Sequence, residues 1–132
     1  MRRCLAAIRA PAVVAYASAR DLARVPDAAD AGAVGITGSP FEPLADLKAA
    51  CGARLTVLGG LDSIALAGST PAQAAAAARA AMAAVGRGGR YVLCEHHGEI
   101  PWQVSEEVLD AVAAAVHEHG RYPLPDPAAP RA

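Results

Sequence analysis

Four consecutive residues hold the densest set of reactive side chains in this sequence: Cys94, Glu95, His96 and His97. A thiol, a carboxylate and two imidazoles can exchange protons near neutral pH, and the same groups are ligands of Zn²⁺. They end an apolar run that predicts a buried strand. Because α/β barrels keep catalytic groups just past the carboxyl ends of strands, this cluster is the first candidate site.

Two interpretations of this cluster remain open. In the functional one, His97 is a catalytic residue, and Cys94, His96 and His97 are the candidate metal ligands. In the other, Cys94 is a small core residue and the histidines are polar loop residues. A zinc site takes three or four ligands, and we find no second ligand cluster that would complete one. We therefore predict no metal and no cofactor.

A second motif, Gly59-Gly60-Leu61-Asp62, ends another apolar run. The glycines would let a ligand approach the backbone closely, and Asp62 could orient a polar group. Alternatively, the glycines turn the strand into its loop and Asp62 makes a local turn hydrogen bond. We predict the following substrate-binding residues: Gly59, Gly60, Asp62, His96 and Trp102. The single tryptophan would either wall a pocket or cover one end of the fold.

These motifs need strands and helices to position them, and apolar runs alternate with helical patterns along the chain. The predicted strands are 12–17, 33–37, 54–58 and 91–94. The predicted helices are 21–31, 70–85 and 105–120. A further helix passes through Leu44, Leu47 and Lys48 and ends at Gly52, and the end of another lies within 2–10. Short continuous apolar runs are typical of strands buried on both faces of a parallel sheet.

Two helix starts are well marked in the sequence. Thr70, Pro71 and Gln73 form a capping box with proline at the first helical position. Ser105 is the predicted cap of the last helix. The expected buried stripe of that helix consists of Val108, Leu109, Val112, Ala113 and Val116.

Strand–helix alternation predicts an α/β protein with a parallel sheet and right-handed crossovers. Four consecutive βα units make either half of a TIM (β/α)8 barrel or a small open sheet, and a half barrel alone has two unpaired edges and an uncovered apolar inner face. We assign residues 1–122 to this half barrel and expect 123–132 to be a disordered tail rich in proline and alanine.

Composition limits the class of partner. The 132 residues carry a formal net charge of −1 and contain three scattered cysteines. This favours a reducing, cytoplasmic location and a small-molecule substrate, and it argues against nucleic acid or a membrane as the partner. Arg2 and Arg3 precede an apolar stretch as in a signal peptide, but Arg9 and Pro11 interrupt it, so we predict a cytosolic start.

Three segments together resemble the carboxyl-terminal part of the uroporphyrinogen decarboxylase superfamily. Residues 55–62 are similar to its strand ending in Gly-Asn/Gly-x-Asp, and 68–71 are similar to its Gly-Thr-Pro-Glu helix start. Residues 89–94 and 97–101 resemble its last strand and the Gly-His-Gly-x-x-Pro turn. The resemblance implies the later half of a (β/α)8 barrel, with His97 at the position of the family's active-site histidine.

The resemblance implies decarboxylation, a carbon–carbon lyase reaction of porphyrin biosynthesis, on a carboxylated tetrapyrrole or a smaller substrate. The family's other catalytic segments lie in the half barrel that has no counterpart here, so we expect the chain alone to be inactive. A first alternative is a non-catalytic assembly module, a homodimer or a partner of a separate amino-terminal half barrel. A second is a zinc- and corrinoid-dependent methyltransferase. That branch has cysteine where His97 stands and a His-x-Cys where residues 15–18 offer no ligand.

Overall fold

A computed structural model describes residues 14–16, 22, 25–30, 33–37, 43–96 and 98–124. In chain order the elements are β1 (Val14–Tyr16), α1 (Val25–Asp30), β2 (Gly35–Thr37), α2 (Leu44–Cys51), β3 (Thr56–Leu61), α3 (Ser63–Leu66), α4 (Pro71–Val85), β4 (Tyr91–Glu95) and α5 (Glu106–His119). The predicted helix end within 2–10, His97 and residues 125–132 of the predicted tail lie outside the described residues.

The four strands form one sheet in the order β1-β2-β3-β4, and every neighbouring pair is parallel. Val14 is in register with Gly35, Ile36 with Val57, and Leu58 with Val92. The predicted α/β class and the parallel pairing are confirmed. Parallel neighbours place all carboxyl ends at one edge of the sheet, which is where the candidate residues must be sought.

Two buried clusters join the helices to one face of this sheet. The first cluster, between α1, α2 and the middle strands, contains Val25, Ala28, Ile36, Leu47, Cys51, Leu55 and Val57. The second, between α4, α5 and the end of β3, contains Leu61, Leu66, Ala74, Ala78, Val104, Val108 and Ala115. Burial of a leucine or isoleucine side chain stabilises a fold by about 1.5–3 kcal/mol, so these clusters fix the helices on the sheet.

We call the opposite face of the sheet the inner face. Since side chains alternate along a strand, the neighbours of buried Ile36 and Val57 point to this face. It carries Val14 on β1, Leu58 on β3 and Val92 on β4. Leu58 is paired with Val92, and Val14 is paired with Gly35. Val14 is 50% exposed and Val92 is 46% exposed.

The best-marked helix start is confirmed. The Thr70 side chain accepts a hydrogen bond from the Gln73 backbone, and the Gln73 side chain accepts one from the Thr70 backbone. Pro71 is the first residue of α4. Ser105 occupies the N-cap position of α5 as predicted, but its side chain makes no capping hydrogen bond to the helix backbone.

The buried face of α5 differs from the predicted stripe. Val108 is buried, whereas Leu109 and Val116 are 37% and 36% exposed. Ala115 is buried instead. Val108 and Ala115 lie on the side of α5 that packs against the alanine-rich α4. Small residues at this contact allow the two helices to approach each other closely.

Lys48 ties α2 to the loop before β4. Its ammonium donates hydrogen bonds to the carbonyls of Gly89, at 2.6 Å, and Arg90, at 3.0 Å. Partial burial lowers the pKa of Lys48, and the nearby Arg90 charge lowers it further. This contact stands at the amino-end edge of the sheet, opposite the edge that carries the candidate residues.

Candidate functional site

The loops after β3 and β4 start side by side at the carboxyl-end edge of the sheet, here called the rim. Leu61 and Glu95 are paired residues in the parallel ladder. The backbone N–H of His96 donates a hydrogen bond of 3.0 Å to the carbonyl of Leu61. Asp62 and His96, each one residue further along its strand, are therefore held at the same rim.

His96 is a buried polar residue of the rim, with 8% of its surface exposed. Its Nε2 atom accepts a hydrogen bond of 3.1 Å from the backbone N–H of Gly60. A ring nitrogen that accepts carries no hydrogen, so this contact requires the neutral tautomer protonated at Nδ1. The imidazole thus connects the β4 rim to the backbone of β3.

Gly59 and Gly60 lie within β3 and pair with Leu93 and Cys94. The interpretation that they turn the strand into its loop is therefore wrong. Their φ angles are +134° and +111°, which L side chains rarely adopt. A Cβ at Gly59 would lie 2.7 Å from His96 Cε1. Glycine at position 59 therefore makes room for the imidazole of His96, not for a bound ligand.

The same backbone is contacted from its other side. A Cβ at Gly60 would lie 2.8 Å from the Cβ of Ala81 in α4. The phenol of Tyr91 donates a hydrogen bond of 2.9 Å to the Gly59 carbonyl. Burial raises the pKa of Tyr91, so its hydroxyl stays a proton donor at neutral pH. The two glycines thus lie between the imidazole of His96 and the phenol of Tyr91.

Cys94 is a half-buried thiol on β4 beside these glycines. Burial raises its pKa, the Glu95 charge raises it further, and a hydrogen bond with the Gly59 backbone opposes both. The group is therefore a protonated thiol at neutral pH. Such a thiol is a weak nucleophile, and it must lose its proton before it can bind a metal.

Glu95 organises the start of the loop that follows β4. Its Oε2 atom accepts a hydrogen bond of 2.6 Å from the backbone N–H of Gly98. This contact joins the Glu95 side chain to the backbone three residues later. His97, the predicted catalytic residue, lies outside the described residues, so its assignment stays a prediction.

Asp62 begins the short helix α3, which we did not predict. Its Oδ1 atom accepts hydrogen bonds from the backbone N–H groups of Ile64, at 3.0 Å, and Ala65, at 3.1 Å. The local hydrogen bonding expected of Asp62 is thus present as an N-cap. The residue is exposed at the rim.

Large apolar side chains stand exposed around this rim. Trp102 is 89% exposed, Ile64 is 66% exposed and Ile100 is 48% exposed. Trp102 therefore does not cover the end of the fold within this chain. Val104, two residues later, is buried in the cluster that contains Leu66, so the loop after β4 is anchored against α3.

In the part of the chain that the structure describes, no group of three or more His, Cys, Asp or Glu side chains could hold a metal ion. This search does not include His97. For His96, the Nε2 atom already accepts the Gly60 hydrogen bond. Of the three candidate ligands Cys94, His96 and His97, His96 is thus engaged in a contact between strands and Cys94 is held as a thiol.

An open cavity of about 570 Å³ lies elsewhere, at the loop before β4. It is lined by Arg87, Gly88, Gly89, Tyr122, Pro123 and Leu124. Because this loop enters β4, the cavity is at the amino-end edge of the sheet, away from Asp62 and His96. We place the candidate site at the rim, where polar side chains from two strand ends converge, rather than in this cavity.

Two contributors to the rim were not singled out from the sequence. Tyr91 reaches Gly59 across 32 positions of the chain, and no local pattern signals so distant a contact. Glu95 was noted only as part of the cluster, yet a carboxylate three residues before Gly98 is a recognisable signal for a side-chain-to-backbone turn.

The fold and the rim define a class: a parallel α/β protein whose polar residues gather at the carboxyl ends of β3 and β4. The family model for uroporphyrinogen decarboxylase (URO-D) matches residues 1–119, and the chain belongs to this family. The predicted resemblance is confirmed. No curated protein matches the chain. Among the described helices, none has the length and apolar character needed to cross a bilayer.

Proposed function

We propose that this chain supplies the carboxyl-terminal half of a cytoplasmic (β/α)8 barrel of the uroporphyrinogen decarboxylase type. The single observation that carries the proposal is the pairing of Leu61 with Glu95, which brings the loops after β3 and β4 to one rim. Family membership over residues 1–119 supports the same reaction class.

The reaction breaks the carbon–carbon bond between a carboxylate and the carbon that bears it. Carbon dioxide leaves, and a proton takes its place on that carbon. His97 would deliver this proton or bind a second carboxylate of the substrate, since a histidine can do either near neutral pH. Asp62 would orient a polar group of a carboxylated tetrapyrrole, and Trp102 would cover its apolar face.

The remaining groups that such a reaction needs would be supplied by whatever completes the barrel, a preceding segment or a separate partner. The chain alone is therefore proposed to bind substrate weakly and to turn it over little or not at all. A pure assembly role is the second candidate, favoured by the exposed Val14 and Val92 on the inner face. The zinc- and corrinoid-dependent methyltransferase alternative has less support, because residues 15–18 offer no ligand where that branch has a His-x-Cys.

The test is titration of the purified chain with uroporphyrin, an octacarboxylate porphyrin, followed by its absorbance spectrum. We expect a saturable shift that His97→Ala weakens at least tenfold and that His117→Ala leaves unchanged. His117 is the matched control, since it is exposed near the carboxyl end of α5.

Binding that is insensitive to His97→Ala would overturn the proposed site, and the absence of saturable binding would favour the assembly role. Stoichiometric zinc in the purified protein, with binding lost on its removal, would instead favour the methyltransferase alternative.

A further inference from the structure

The open cavity of about 570 Å³ at the amino-end edge of the sheet has no part in the proposed function. Its size is that of a small-molecule site, for which volumes of about 300–1,000 Å³ are usual. One wall is the glycine-rich loop 86–90, between α4 and β4. The other wall is the segment 122–124, which follows the end of α5. The two walls differ in chemistry, and this difference indicates what the cavity binds.

Contacts within the chain hold both walls in place. Gly86 is buried, and a Cβ at this position would collide with the side chain of Leu124. Glycine at position 86 therefore seats Leu124 against the start of the loop. The other end of the loop is fixed by the Lys48 ammonium, which donates hydrogen bonds to the carbonyls of Gly89 and Arg90. The cavity is thus preformed, which lowers the free-energy cost of binding.

The loop wall offers bare backbone and one cationic side chain. Gly88 and Gly89 have φ angles of +72° and +73°, and a Cβ at either position would meet no atom within 4 Å. A ligand can therefore lie close to this backbone. Arg87 lines the same wall and is exposed. Its guanidinium is always charged, and its fork of N–H groups matches the geometry of a carboxylate or a phosphate.

The charges around the cavity also favour an anion. Arg90 and Arg121 are exposed and adjoin the two walls in the chain. Among the described residues, no aspartate or glutamate lines the cavity. Of the described acidic residues, Glu118 is the nearest to the second wall in sequence, and its carboxylate lies 3.6 Å from His119 Nε2. A negatively charged ligand would therefore meet a positive potential.

The second wall is apolar and partly aromatic. It consists of Tyr122, Pro123 and Leu124, and Tyr122 is 56% exposed. An exposed aromatic ring can stack on a flat apolar group of a ligand. A simple ion would use only the loop wall, whereas an anion with a flat apolar body would contact both walls.

We propose that this cavity binds a small organic anion, in which a carboxylate or phosphate is carried on a flat apolar group. Arg87 holds the anionic group beside the backbone of Gly88 and Gly89, and Tyr122 packs against the apolar group. The site lies at the opposite edge of the sheet from Asp62 and His96, so it does not rest on the proposed function.

The test is titration of the full chain, labelled with ¹⁵N, with small probes followed by amide chemical shifts. Benzoate and phenyl phosphate carry both parts of the ligand and distinguish a carboxylate from a phosphate. Benzamide lacks the charge, and inorganic phosphate lacks the ring. We expect saturable shifts of the Gly88 and Gly89 amides with benzoate or phenyl phosphate, with affinity about fivefold or more above that for benzamide and inorganic phosphate.

Two substitutions test the two walls separately. Arg87→Gln and Tyr122→Ala should each weaken binding of the better probe by about fivefold. The matched control is Arg79→Gln, at an exposed arginine of α4 that does not line the cavity, and it should leave the affinity unchanged. All of these side chains are exposed, so the variants should fold, and their amide spectra verify this.

The absence of saturable shifts with both organic anions would overturn the proposal. Equal affinity for benzamide would mean apolar contact without anion recognition, and equal affinity for inorganic phosphate would mean an adventitious ion only. Either result would overturn it as well. Equal weakening by Arg79→Gln would reduce the effect to general charge attraction, and shifts confined to the amides of the rim would place the probes at the wrong edge of the sheet.

Discussion

The imidazole Nε2 atom of His96 accepts a 3.1 Å hydrogen bond from the backbone N–H of Gly60, across 36 positions of the chain. His96 is thereby a positioning residue that joins the end of β4 to β3. The Cys94–His97 cluster, a candidate metal site from the sequence, therefore contains at least one residue with a structural role.

We predict that His96→Ala destabilises the protein by about 1–3 kcal/mol, since the Gly60 N–H loses its acceptor in a largely enclosed place. Urea unfolding measures the change in the free energy of unfolding. Hydrogen exchange of the Gly60 amide should accelerate more than that of amides in α5.

The control for this substitution is His117→Ala, at an exposed position where a change within about 0.5 kcal/mol is expected. Equal stability of the His96→Ala and His117→Ala variants would show that the imidazole contact contributes nothing.

Gly59→Ala should destabilise the protein more than Gly88→Ala. Both positions have positive φ, and Gly88 would place its Cβ in open space, so only the backbone strain of about 1–2 kcal/mol applies there. At Gly59 the added Cβ meets His96 Cε1 at 2.7 Å, which adds a steric cost to the strain. Thermal and urea unfolding of the two variants measures the difference, and an equal loss would contradict the close contact.

The pH dependence of Cys94 alkylation should reveal its raised pKa. Burial, first, and the Glu95 charge favour the neutral thiol, so the reactive thiolate forms only at higher pH than in an ordinary cysteine, whose pKa is about 8.5. Iodoacetamide modification in a Cys4→Ser/Cys51→Ala background should therefore be slow at pH 8 and still rise above pH 9.

The unfolded form of the same variant, in urea, provides the reference rate for an unperturbed thiol. A native rate that levels off at or below pH 8 would mean that the thiol is activated rather than suppressed.

Thr70→Ala should lower the free energy of unfolding by about 1 kcal/mol, because it removes the capping box of α4. Ser105→Ala is the matched comparison, since Ser105 holds the same position in α5 without a capping hydrogen bond to the helix backbone. We expect a smaller loss there. Chemical unfolding of both variants is the measurement, and a larger loss at Ser105 would reverse the assignment of the two caps.

Asp62→Asn distinguishes the helix-capping role of this residue from its proposed role in substrate binding. The amide oxygen can still accept from the Ile64 and Ala65 N–H groups, so stability should change little. If the negative charge orients the substrate as proposed, uroporphyrin affinity should fall severalfold in the same variant. A loss of stability with unchanged affinity would assign Asp62 to helix capping alone.

Much of the fold follows from local sequence. The Thr70-Pro71-x-Gln73 start specified α4 because capping is decided within four residues, and short apolar runs specified the strands. The extent of β3 was not predictable in the same way. Gly59 and Gly60 read as a turn locally, and only the ladder with Leu93 and Cys94 keeps them in the strand.

The position of the rim was predictable, but its contacts were not. Parallel order is sufficient to bring the loops after β3 and β4 together, so the rim could be expected from the strand pattern. The engagement of His96 with Gly60 depends on a contact between distant positions, which no spacing rule reveals. The buried stripe of α5 likewise depended on which alanines of α4 faced it.

The Lys48 ammonium, bonded to the carbonyls of Gly89 and Arg90, fastens the sheet at the end remote from His96. The mostly exposed residues 99–103 of the loop after β4 lie at the other edge of the sheet, away from this contact. Directed evolution can therefore diversify these residues while Lys48 stays fixed, since substitutions at exposed positions change stability little.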